Sequence, residues 1–167
     1  SAASDVYMRQ LQTISATNYI NWSFNNPMKA AKAFGNQKQY WSDFIRLMNS
    51  DYLVDRRNGL KINVSENEIA EAAKTSKNKA KAVISTLLSK GFVLTQFADS
   101  FAIASGGAMY FRNRINDLVK NHGMDKVEAE KKAMEEFRQL AEKSQQSSDP
   151  MRISQQQSST LGRIVLS

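Results

Sequence analysis

The stretch Val64-Ser65-Glu66-Asn67-Glu68-Ile69 constrains the fold of this chain more than any other. A serine followed three residues later by a glutamate makes a capping box. The serine hydroxyl accepts a bond from the N3 amide, and the glutamate carboxylate accepts one from the serine amide. Val64 before the cap and Ile69 after it add a hydrophobic staple. A helix therefore starts at residue 66 and runs through EIAEAAK to about Thr75, where TSKNKA turns the chain. A second helix, KAKAVISTLLSKG, stops at Gly91, a glycine just past a last helical turn.

The same punctuation recurs. Asp125 with Glu128 three residues on caps a later helix, whose Val127, Met134, Phe137 and Ala141 line one face. Glu128, Lys131, Lys132, Glu135 and Glu136 make its solvated side. Met109, Ile115, Leu118 and Val119 keep helical spacing up to Gly123. Upstream, Tyr40, Phe44, Leu47 and Met48 form an apolar stripe with Trp41 and Ile45 beside it, in a segment interrupted near Gly35. Val6, Leu11, Ile14 and Ile20 mark an N-terminal helical segment.

Seven glycines and two prolines in 167 residues suit long helices better than many short strands. The expected fold is mainly α, built from several amphipathic helices. Two features depart from this. RRNG is a turn signal, so its flanks YLV and LKINV fit a small β-hairpin or a connector. The Gln/Ser-rich stretch EKSQQSSDPMRISQQQSSTLGR reads as an extended tail that orders against a partner. Three regions follow: an N-terminal helical region, 1–64; a helical domain with a helix-turn-helix-like start, 65–143; and the tail, 144–167. The chain closes on LGRIVLS just as a new apolar pattern begins, as in a segment of a longer polypeptide.

Residues 94–114, LTQFADSFAIASGGAMYFRNR, are rich in small residues. Gly106 and Gly107 predict a kink, a helix end or a close helix approach. Asp99 argues against deep burial in lipid. Arg112 and Arg114 lie too far along to pair with Asp99 within one helical turn, and are expected to meet phosphate groups or an acidic neighbour. The SGG at 105–107 lacks the GxxxxGK spacing of a phosphate loop. No run of about 18 apolar residues suggests an ordinary transmembrane helix.

Catalytic and metal-binding readings find little support. There is no cysteine, so thiolate metal sites and disulfides are excluded. The one histidine, His122, sits beside Gly123 at a predicted helix end, where a cap or an exposed role suits it. Asp43, Asp51 and Asp55 would share a face if one helix held all three, but YLVDRRNG is expected to leave the helix before Asp55, and solvated surface acids fit better. Glu66, Glu68 and Glu71 belong to the capped helix. No enzyme, cofactor or metal is expected.

Net charge is +7, which permits attraction to nucleic acid or to an anionic membrane. Residues 65–95 resemble the helix-turn-helix part of a winged-helix domain. Lys77, Lys79 and Lys81, with Asn78, would then open a DNA-recognition helix followed by an apolar, strand-like exit.

The stretches ADSFAIASGGAMYFRNR and SQQSSDPMRISQQQSSTLGR carry a different likeness. The C-terminal half resembles an associated domain near the C-termini of large polyvalent proteins of tailed, including crAss-like, bacteriophages. The resemblance implies a virion-packaged cargo protein, held in the capsid or tail lumen and ejected into the bacterial host with the genome. It implies contacts with other virion proteins such as portal or tail-channel components, with phage DNA, and transiently with membrane. Asp99, Ser100, Gly106, Gly107, Arg112, Asn113 and Arg114 match its recurring pattern, as fold-defining or interaction residues rather than catalytic ones.

Overall fold

The computed structural model describes residues 36–145, 161–163 and 165. Up to residue 145 the order is α1 (Gln37–Met48), α2 (Asp51–Arg56), α3 (Glu66–Lys74), α4 (Lys79–Ser89), α5 (Leu94–His122) and α6 (Lys126–Gln145). The described residues contain no strand, and the fold is mainly α. The segment carrying Val6, Leu11, Ile14 and Ile20 lies outside the described residues, as does Gly35.

The capping box at Ser65 forms as the sequence predicts. Its hydroxyl accepts from the Glu68 amide at 3.1 Å, and Glu68 accepts from the Ser65 amide at 3.2 Å. Val64 and Ile69 are both buried. Asn78 caps α4, and Gly91 follows its end with φ +92°. Gly123 ends α5 in the left-handed region.

The small hairpin does not form. Ser50 accepts from the Leu53 amide and donates to the Leu47 carbonyl, so one hydroxyl closes α1 and opens α2. YLV is therefore helical, and Asp55 is still within α2. Asn58 and Gly59 both take positive φ, 59° and 81°. Such a pair also suits a tight hairpin turn, which explains the ambiguous signal. Here it ends a helix instead, with the Gly59 amide on the Val54 carbonyl at 2.9 Å. Residues 60–64 then alternate in exposure, with Ile62 and Val64 buried and their neighbours Lys61 and Asn63 exposed.

The centre of the molecule is α5. It does not stop at Gly106-Gly107 but continues through them for 29 residues. Every residue from Phe97 to Ala108 is buried. A helix covered on all sides belongs at the middle of a helical core. The strand-like exit expected after Gly91 is this helix's first turns. Against it pack α1 and α6, while α3 lies on α1 and carries α4. Tyr40, Trp41, Phe44 and Phe101 form an edge-to-face chain with centroids 4.8–5.1 Å apart. The Tyr40 hydroxyl donates to the Ser105 carbonyl at 2.7 Å, tying α1 to the middle of α5.

Gly107 is the close-approach point. A Cβ there would lie 2.1 Å from Phe137 Cε1 of α6 and 3.1 Å from Leu47 Cδ1 of α1. The buried stripe of α6 is Ala129, Ala133, Phe137 and Ala141, one residue per turn. Val127 is 58 % exposed and does not belong to that face.

One buried cluster spans residues on both sides of 64/65, from Tyr40 to Ala141. It also takes in Leu161, which is fully buried in the short helical piece at 161–163. Part of the 144–167 region is thus folded into the core. Residues 146–160, with most of the Gln/Ser run, lie outside the described residues.

Candidate functional site

The residues singled out in 94–114 are engaged inside the molecule. Asp99, nearly buried on α5, takes a two-pronged bond from Arg56 at the end of α2, with Nη2 3.0 Å from Oδ1. Burial opposes the Arg56 charge, but the hydrogen bond and charge of Asp99 outweigh it and raise its pKa. Arg112 meets an acidic neighbour, one of the two kinds of partner expected for it. Its Nε and Nη2 reach the two oxygens of Asp43 on α1 at 2.8 and 2.7 Å. Asp43 is fully buried and also accepts from Gln39 at 3.0 Å. The Asp43-Asp51-Asp55 surface set is therefore split: Asp51 and Asp55 are exposed on α2, and Asp43 is an interior ion-pair partner.

Arg114 meets an acidic neighbour, as one of the two expectations had it. It holds both oxygens of Glu136 on α6 and donates to Asp117 at 2.7 Å. Tyr110 lies against the same carboxylate, its hydroxyl 3.5 Å from Glu136 Oε2. Burial and the Glu136 charge push the Tyr110 pKa up to about 12.

These pairs staple α5 to α2, α1 and α6 in turn. Removing one partner of a buried pair leaves an uncompensated charge at a cost of about 3–5 kcal/mol. Gly106 is buried, Gly107 is the helix contact described above, and the Ser100 hydroxyl faces the Leu53 carbonyl at 3.5 Å. The small-residue stretch is packing surface.

Sequence spacing missed Arg57. It is 6 % exposed and donates to the carbonyls of Leu60 at 3.0 Å and Met48 at 2.7 Å, closing the C-terminal end of α1. Its Nη1 has no hydrogen-bond partner. Burial pushes its pKa down to about 10, with the Asp99 charge offsetting part of the effect, so it stays a cation at neutral pH. No local motif announces it, because its partners are carbonyls.

His122 sits in the last turn of α5, more than half exposed, with Nε2 3.7 Å from Asp117. Among the described residues no group of three metal-ligating side chains comes together, and no helix is long and apolar enough to cross a membrane. A cleft of about 400 Å³ opens between the α1–α2 corner and α6, lined by Ser50, Tyr52, Phe137 and two arginines. Those arginines are already paired: Arg46 with Glu66 and Glu130, Arg138 with Glu135 and Glu142.

The three lysines at the α3–α4 turn separate. Lys79 turns back, and its Nζ donates to the Ala73 carbonyl at 2.8 Å, closing α3. Lys81 is half-buried in the first turn of α4, and Lys77 is exposed. Two helices, α3 and α4, joined by a short turn are present. No wing follows it among the described residues, because residues 94 onward are helix.

Compared with protein-family models, with curated proteins and with solved structures, the chain finds no match in any of the three.

Proposed function

We propose that this chain is a non-enzymatic part of a bacteriophage virion cargo protein. It rides in the capsid or tail lumen and enters the host with the genome. It acts by packing and assembly against portal or tail-channel proteins, and no cofactor takes part. One observation supports the reading most. The positions that carry the resemblance to the large polyvalent proteins, Asp99, Gly107, Arg112 and Arg114, are also the contacts that join α5 to its neighbours. A likeness at such positions is a likeness of fold, and no chemistry is needed to account for it.

The test is peptide mass spectrometry of purified, DNA-filled particles from a phage encoding this chain. The reading expects ADSFAIASGGAMYFRNR at a fixed copy number per particle. Its restriction to extracts of infected cells would reject it.

A further inference from the structure

Between residues 72 and 98 the chain contains five lysines and no acid. Within this stretch α4 packs chiefly on α3. The apolar side of α4, with Ala80, Val83, Ile84 and Leu87, is committed to the core. Its outer side follows the four-residue spacing Lys81, Ser85, Ser89, and Lys77 lies in the turn just before the helix. Lys77, Ser85 and Ser89 are exposed, and Lys74 is exposed at the end of α3 beside the same turn. No acid lies in the first turn of α4. In sequence the stretch is bounded by Glu71 on α3 and Asp99 on α5. Lys90 occupies Glu68 at 3.3 Å.

We propose that this stripe and the turn before it bind the sugar-phosphate backbone of duplex DNA, without reading its sequence. Charge selects a polyanion. Shape and chemistry select DNA over a bilayer: an interfacial helix needs large apolar side chains on its bilayer face, and those of α4 are buried. The binding mode differs from that of a winged-helix recognition helix. Lys79 is spent on the Ala73 carbonyl, no wing follows among the described residues, and the exposed side chains here include the ammonium groups of Lys74 and Lys77 and the hydroxyls of Ser85 and Ser89. Such groups bond phosphate oxygens, and contacts to phosphate carry no base information. The proposal stands apart from the cargo reading, since particle content tests one and duplex binding the other.

The experiment measures binding of the full 167-residue chain to two unrelated duplexes of equal length, by fluorescence anisotropy across a salt series. Both duplexes should bind equally. The double variant K74Q/K77Q keeps the Lys79 cap and removes two exposed charges. It should make the slope of log K against log salt shallower by about 0.9 for each phosphate that is no longer neutralised. The control K131Q/K132Q removes the same charge from the exposed side of α6 and should leave the slope unchanged. The proposal is overturned by no duplex binding at low salt, or by a strong preference for one sequence. It is equally overturned if the control weakens binding as much as the test variant does. Binding to phosphatidylglycerol vesicles with none to duplex would also reject it, in favour of a membrane surface.

Discussion

Gly107→Ala sets two known effects against each other. Alanine in a helix interior is better than glycine by about 1 kcal/mol, so on propensity alone the variant should be more stable. The structure predicts the opposite. The new methyl would stand 2.1 Å from Phe137 Cε1 and 2.8 Å from Cδ1. An ordinary carbon–carbon contact needs about 3.5 Å, so the ring or the whole of α6 must move by more than about 1 Å. Phe137 is fully buried and has no free end to swing aside. Overpacking of this kind costs about 1–3 kcal/mol and should exceed the propensity gain. Urea unfolding of the full chain should show a lower midpoint, and the melting temperature should fall by about 2–4 °C for each kcal/mol of net loss. Phe137→Ala in the same chain removes both colliding carbons, Cδ1 and Cε1. The double variant should lose less than the two single variants added together, with a coupling above about 0.5 kcal/mol. A raised midpoint for Gly107→Ala alone would mean that α5 and α6 do not cross at this glycine.

Asp43→Ala should cost about 3–5 kcal/mol in the same assay by stranding Arg112, whereas Asp43→Leu with Arg112→Met should recover most of it. Leu161→Ala should cost about 2–5 kcal/mol if the piece after the Gln/Ser run belongs to the core, and a change under about half a kcal/mol would place it outside. Acid should weaken the fold through α3. At Glu66 burial opposes ionisation, but the Ser42 hydroxyl and Arg46 outweigh it; at Glu68 the Ser65 amide and Lys90 favour the carboxylate. Both folded pKa values lie below the ordinary 4.5, so this stability is present above that value and is lost as pH falls through the folded ones. Urea midpoints measured from about pH 6 to about pH 3 should fall, and Glu68→Gln should flatten part of the decline.

What could be read from the sequence was local. Ser65 with Glu68, Gly91, Gly123 and the Tyr40-to-Met48 stripe each act over one or two helical turns, where hydrogen bonding and side-chain periodicity decide the outcome. The misreadings arose where tertiary contacts override local cost. Two adjacent glycines argue against a helix, yet α5 runs through them because Gly107 lets α6 close on it. Asn58-Gly59 has the backbone freedom of a hairpin turn, but the Ser50 cap had already committed Tyr52, Leu53 and Val54 to a helix. The ion pairs of Arg56 with Asp99 and Arg112 with Asp43 join residues 43 and 69 positions apart, beyond any spacing rule. Val127 illustrates the limit of periodicity: it fits the apolar face by type, but the stripe that packs runs one residue per turn from Ala129.

Protease protection before and after triggered genome release tests the cargo reading most directly. Particles bearing the chain are treated with protease intact and again after ejection, and the chain is followed by its peptides. The cargo account predicts full protection in intact particles and loss of the chain from emptied ones. Digestion in intact particles, or retention of the whole chain in emptied shells, would contradict it.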